Sequence, residues 1–242
     1  MKKYLSIPIL LFLTACGDTG TSDVPSSSSS LVGTSGTFMD SRDGTVYKYV
    51  KIGTQTWMAQ NLNYYSSDSK CYKNSETNCD KYGRLYNWLT AMNLPIDSCG
   101  SISCPVSTKH QGICPSGWHI PSDAEWTTLT DNVGGASTAG TELKAKEGWD
   151  NNGNGQDTYE FAALPGGIGD ISYGSDDHFA DYLNVGSYGY WGSATEGPSY
   201  KVGSLTLTHN AYVRRISYTN GDVFRYDVDK SFILFSVRCL QD

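Results

Sequence analysis

The sequence predicts an α+β domain, and three observations carry that expectation. Helical periodicity is confined to the stretch between Tyr82 and Lys146. From Phe161 onward only strand-like segments recur, so helices and strands are segregated rather than alternating as in a βαβ sheet. The composition is rich in Tyr (17), Trp (6) and Gly (26) with only 18% charged residues, which suits many short antiparallel strands and turns with aromatic packing.

Taken in order, Thr45 to Ile52 alternates apolar and polar residues as a half-buried strand does. Asp43-Gly44 before it and Gly53-Thr54 after it are turn signals, and Gln55 to Met58 resumes in extended form to make a hairpin. Asn61 to Tyr64 leads into a polar loop. Tyr82 to Met92 reads as one helix, with Leu85, Trp88, Leu89 and Met92 on one face and Asn93 to Pro95 ending it.

The stretch from Cys114 to Trp126 organises the centre of the chain. Trp118 to Ile120 is a short extended piece closed by Pro121. Ser122 sits three residues before Glu125, the spacing of a capping box, with Trp126, Leu129 and Val133 at helical spacing behind it. Gly134-Gly135 stops that helix, and Thr138 to Lys146 supports a further short one. A turn-rich region from Trp149 to Asp157 precedes the strands, which are expected at Phe161–Leu164, Tyr188–Thr195, Leu205–Thr208, Tyr212–Ser217, Val223–Tyr226 and Phe232–Leu240. Trp57, Trp88, Trp118 and Trp126 lie on apolar faces and are expected in the core.

The N-terminus reads as an address rather than as fold. Lys2 and Lys3 precede a short apolar run from Tyr4 to Phe12, too short for a span of about 20 residues. Leu13-Thr14-Ala15-Cys16 resembles a bacterial lipobox. This reading makes residues 1–15 a lipoprotein signal peptide and Cys16 the acylated first residue of the mature chain. Residues 16–36 are Ser-, Gly- and Thr-rich and read as a lipid-anchored tether, leaving 37–242 as the domain. The expected location is the cell envelope, at the outer membrane or cell surface, with the lipid membrane as one partner. Removing the signal peptide takes two lysines and moves the formal charge from −7 to −9, which argues against nucleic acid as a partner.

Setting Cys16 aside, six cysteines remain: Cys71, Cys79, Cys99, Cys104, Cys114 and Cys239. An even number outside the cytoplasm reads as disulfides, and six cysteines permit about 15 connectivities. Proximity favours Cys71–Cys79 and Cys99–Cys104 across polar loops, which leaves Cys114–Cys239. Zinc fits poorly: no C-x-x-C occurs, and His110, His119, His178 and His209 show no ligand spacing.

Ordered motifs add a resemblance. They are Asp43-Gly44-x-Val46-Tyr47; Ile52-Gly53-x-Gln55-x-Trp57-Met58-Ala59-x-Asn61-Leu62-Asn63; Gly83-Arg84-Leu85-Tyr86-Asn87-Trp88; Cys114-Pro115-x-Gly117-Trp118-His119-Ile120-Pro121 with Glu125-Trp126; Phe161-x-Ala163-Leu164-Pro165-x-Gly167; and Ser236-Val237-Arg238-Cys239. Over residues 38–242 the chain closely resembles the Fibrobacter succinogenes major paralogous domain. That resemblance implies secreted proteins and lipoproteins. It also implies kinship with formylglycine-generating-enzyme and C-type-lectin-like folds, in which early and late segments join, and so it independently supports Cys114–Cys239. Two positions depart from the family pattern. Glu160 stands where Gly is usual before the Phe, and Tyr190-Trp191-Gly192-Ser193 replaces a Trp-Trp-Ser segment.

Little in the sequence points to a reaction. The copper-binding cysteine pair of formylglycine-generating enzymes has no counterpart if all six cysteines are bridged. There is no G-x-S-x-G or H-E-x-x-H, and Asp176-Asp177 alone does not make a glycosidase pair. The E-P-N and Q-P-D motifs of calcium-dependent lectins are absent. Asp150, Asn152 and Asn154 copy the first half of an EF-hand loop, with Asp157 an off-pattern fourth oxygen, so a structural calcium is one reading and a Gly/Asn-rich turn without metal the other. Tyr173, Tyr182, Tyr188 and Tyr190, in glycine-rich surroundings, are candidate ligand-binding residues because tyrosine faces stack on sugar rings. The expected function is therefore a non-catalytic adhesion or binding module for plant-cell-wall polysaccharide. The alternative is a structural or assembly lipoprotein that binds other envelope proteins, and an enzyme comes third.

Overall fold

A computed structural model describes residues 34–104, 106–172 and 181–242. Strand β1 (Ser35–Met39) pairs antiparallel with β2 (Val46–Ile52), placing Phe38 opposite Tyr47. Gly53, at φ +59°, turns the chain into β3 (Gln55–Met58), with Val50 opposite Trp57. β1 thus begins inside the segment read as tether. Its Ser-Gly-Thr start buries little, and backbone pairing with β2 rather than hydrophobicity holds it. β2 is half-buried, as its alternation predicts: Val46, Lys48 and Lys51 are exposed, while Tyr47 packs into one core and Val50 and Ile52 into another.

The single helix expected over Tyr82–Met92 is three elements. They are α1 (Glu76–Tyr82), β4 (Leu85–Tyr86) and α2 (Trp88–Met92). Gly83, at φ +77°, breaks the helix, and the Asn87 side chain accepts from the Thr90 N–H to start a new one. The apolar face persists through the break, so its periodicity alone gave no warning. A short α3 (Ile96–Cys99) follows.

β5 (Trp118–His119) and α4 (Asp123–Asn132) form as expected. The capping box is complete: the Glu125 N–H donates to Ser122 Oγ at 3.2 Å and the Ser122 N–H to Glu125 Oε2 at 2.8 Å. α5 (Ala139–Leu143) is shorter than the Thr138–Lys146 expected.

The later strands are β6 (Ile168–Asp170), β7 (Asp181–Leu183), β8 (Tyr188–Glu196), β9 (Tyr200–Val202), β10 (Leu205–Leu207), β11 (Asn210–Ser217), β12 (Val223–Asp229), β13 (Ile233–Ser236) and β14 (Leu240–Gln241). Phe161–Leu164 is not a strand. Ala162 is left-handed at φ +52°, and Ala163 makes only an isolated bridge to Lys144. The strand expected over Phe232–Leu240 is two, joined by Val237-Arg238-Cys239.

That joint links two sheets. One has the order β1-β2-β3-β14-β5; the other runs β12-β11-β8-β13-β6-β7 with β4 beside β13, and β9-β10 is a separate hairpin. The last strand therefore seals the sheet begun by the first, with Leu240 between Trp57 and His119. The three disulfides are Cys71–Cys79, Cys99–Cys104 and Cys114–Cys239, the last spanning 125 residues. Trp88 and Trp118 fill the core around Cys114–Cys239, and Trp57, Trp126, Trp149 and Trp191 fill the other. Among the described residues no helix is long and apolar enough to cross a membrane.

Candidate functional site

An exposed aromatic array lies on β12, an edge strand, with its neighbour β11 and the next strand, β8. Antiparallel pairing sets Arg215 opposite Phe224 and Val213 opposite Tyr226. On the other side of β11, Arg215 faces Tyr190 and Ser217 faces Tyr188. Directly opposed residues share a face, so Tyr188, Arg215, Phe224 and Tyr226 gather on one surface. The Arg215 guanidinium carbon lies 5.3, 5.1 and 5.4 Å from the ring centres of Tyr188, Phe224 and Tyr226. Each such cation–π contact contributes about 0.5–1 kcal/mol and holds the rings around the charge. Phe224 and Tyr226 remain 39% and 49% exposed. Arg215 Nε is buried with no hydrogen-bond partner among the described residues.

On the opposite face of β12, Arg225 stacks on Tyr212 at 3.5 Å and pairs with Asp123 at 2.8 Å, and Asp123 also takes Arg214 at 2.8 Å. This binds β11 and β12 to the start of α4. The exposed aromatic face is thus carried on a fixed sheet rather than on a loop.

A second polar cluster surrounds His119, which is 1% exposed. Its Nδ1 meets Asp242 at 2.7 Å and its Nε2 meets Glu125 at 3.1 Å. Burial alone would lower the His119 pKa, but the two carboxylates more than offset it and the pKa is raised. Glu125 is half-buried, and although that desolvation works the other way, His119 and the Ser122 donors bring its pKa down to about 2. Both imidazole nitrogens are committed to carboxylates, so the group clasps the C-terminus to the capping box.

A family model described as the Fibrobacter succinogenes major domain matches residues 50–241. The chain belongs to the Fibrobacter succinogenes major domain family. No curated protein and no solved structure matches it.

The motifs of this major domain meet at one buried amide. Asn61 Oδ1 accepts from Trp191 Nε1 at 2.8 Å and from Arg238 Nε and Nη2 at 3.2 and 3.0 Å, while its amide donates to the Tyr82 carbonyl at 2.7 Å. Arg238, 1% exposed, also donates to the carbonyls of Phe161 and Ala162 and lies over the Phe161 ring at 4.2 Å. Burial pulls its pKa down to about 9 against the pull of Asp157. Four distant motifs are thereby tied together, which gives them a structural role. Glu160, where the family pattern has Gly, sits at φ +57°, a conformation that glycine adopts without strain.

The tyrosines named from the sequence divide. Tyr188 is half-buried within the aromatic array, its ring 6.1 Å from that of Tyr190. Tyr190 is only 6% exposed, so the expectation that it presents a ligand-binding surface is corrected: Asn184 donates to its hydroxyl at 3.1 Å, and burial raises its pKa. Tyr182 packs elsewhere, on Tyr72 at 5.2 Å, and donates to Asn74 at 2.9 Å. Cys16, Tyr173, His178 and Asp176-Asp177 lie outside the described residues.

In the turn-rich loop the oxygens answer to separate donors. Asp150 Oδ2 accepts from Ser187 at 2.7 Å, Asn154 Oδ1 from the Trp149 N–H at 3.0 Å, and Asp157 Oδ1 from the Ala162 N–H at 2.7 Å. Asn152 is left-handed at φ +58° at the end of a 3-10 turn over Asp150–Asn152. The one group of three ion-ligating acids, cysteines or histidines found together among the described residues is Cys71, Glu76 and Cys79, whose two thiols are already joined as a disulfide.

Sequence reasoning missed Phe224, Tyr226 and Arg215. The signal for the first two was present: aromatics two apart on a strand share a face. Arg215 joins them only through the β11–β12 register, which the sequence does not specify.

Proposed function

We propose that this Fibrobacter succinogenes major domain is a non-catalytic, surface-attached binding module that recognises polysaccharide through the Tyr188–Arg215–Phe224–Tyr226 face. One observation carries the reading: partly exposed aromatic rings are held around a guanidinium on a rigid sheet edge. Rings of this kind stack on the apolar faces of sugars. The bridged cysteines and the doubly committed His119 support the non-catalytic part. Acylation at Cys16 and residence at the outer membrane or cell surface belong to the same proposal, supported by the lipobox-like Leu13-Thr14-Ala15-Cys16. A C-type-lectin-like architecture is supported by the pairing of β14 with β3 and β5, and by the bridge from Cys114 to Cys239.

The test is retention of the detergent-solubilised protein on insoluble cellulose and xylan. Phe224→Ala with Tyr226→Ala is expected to weaken retention by roughly tenfold or more, and no retention of the parent protein on either material would refute the reading. The alternative, assembly with other envelope proteins, draws on a different property of the same place: edge strand β12 presents unpaired backbone groups to which another strand could add. A partner of that kind would survive loss of the two rings.

A further inference from the structure

A groove of about 820 Å³ opens between the β1–β2 hairpin and the loop from Asp157 to Leu164, and it shares no residue with the aromatic face. Its size falls in the range of small-ligand sites. The charge of its lining is balanced. Lys48, Lys81 and the buried Arg238 stand against Asp80, Asp157 and Glu160. A phosphate or polyanion needs a surplus of cations, and a wholly apolar ligand would leave these groups desolvated without partners.

Asn63 also lines the groove, and its Oδ1 is buried with no hydrogen-bond partner among the described residues. An unpaired buried acceptor is costly, so it marks a place where a donor is wanted. The far wall is strained as well. Asp157, Glu160 and Ala162 all line the groove and all hold left-handed backbone, at φ +47°, +57° and +52°. Strain of this sort persists where surrounding structure over-determines it, and here the Arg238 bonds to Phe161 and Ala162 supply that restraint.

Balanced charge, closely spaced donors and acceptors, and an unsatisfied amide oxygen fit one class of ligand best. Each hydroxyl of a sugar both donates and accepts, so a chain of them can meet a mixed lining without net charge. We infer that this groove is a binding site for a neutral oligosaccharide, with Asn63 Oδ1 accepting from a sugar hydroxyl. The inference shares its ligand class with the proposed function but stands on different residues.

The experiment is calorimetric titration of the detergent-solubilised full chain with cellotetraose, xylotetraose and mannotetraose, with tetragalacturonate and inorganic phosphate as anionic probes. At least one neutral tetrasaccharide is expected to bind. Asn63→Leu should weaken it tenfold or more while leaving the melting temperature unchanged or higher, because it replaces an unpaired acceptor. Glu160→Gln, on the exposed rim, is the companion variant and should weaken the same ligand severalfold. Phe224→Ala with Tyr226→Ala should leave groove binding intact even where it weakens retention on insoluble polysaccharide, so the two readings fail separately. The inference is overturned if no neutral tetrasaccharide binds, if both Asn63→Leu and Glu160→Gln bind as the parent does, or if an anionic probe binds more tightly.

Discussion

Replacing Glu125 by Gln tests how the C-terminus is held. The change keeps the shape of the capping box but removes the negative charge that faces His119 at 3.1 Å. Glu125 falls from 4.5 to about 2 in the folded protein, which corresponds to about 3 kcal/mol of stabilisation shared among His119 and the Ser122 donors. A depressed carboxylate contributes fully above its unfolded pKa, near 4.5, and its contribution fades as pH falls through about 2. His119 is raised above 6.5, so its contribution is complete below that value and fades as pH climbs through the higher folded pKa. Both are therefore present together between pH 4.5 and 6.5. Urea unfolding at pH 5.5 should show Glu125→Gln losing about 2–3 kcal/mol. At pH 9, further along the titration of His119, the loss should be smaller and approach about 1 kcal/mol, the part due to the weakened cap. Equal losses at the two pH values would refute the charged clasp.

Two further outcomes follow from the geometry. Glu160→Gly relieves a left-handed residue that is exposed and should raise stability by up to about 1 kcal/mol in thermal unfolding, with no change if the loop is not strained. Replacing Cys114 and Cys239 by Ser opens a 125-residue loop and should cost about 5 kcal/mol by chain entropy, against about 2.5 kcal/mol for the Cys71–Cys79 pair. Any loss of polysaccharide retention in the Cys114/Cys239 variant should track the fraction unfolded, since neither residue touches the aromatic face.

The parts of the fold that were legible in the sequence are those governed by local chemistry. Ser122 and Glu125 announce their helix because capping depends on a fixed spacing, and Gly53 marks its hairpin because few other residues accept its backbone. The break at Gly83 was not legible, because Tyr82 before it and Leu85, Trp88 and Met92 after it are all buried and mimic one helical face. Phe161–Leu164 misled for a related reason. Its apolar residues are buried by Arg238 and the second core, not by strand pairing. The disulfides were readable because two pairs are close in sequence. The candidate site was only half readable: Tyr188 was identified, while Tyr190 proved to be core and Arg215 reaches Phe224 and Tyr226 only through long-range register.

The most direct test of the account is a depletion isotherm on insoluble cellulose and xylan, comparing the parent protein with Phe224→Ala/Tyr226→Ala and with Asn63→Leu. Each ring stripped from the face removes stacking worth about 1 kcal/mol, so the double variant should lose retention by roughly tenfold or more with its melting curve unchanged. Asn63→Leu should retain most of it. Retention of the folded double variant at parental levels would contradict the claim that this face binds.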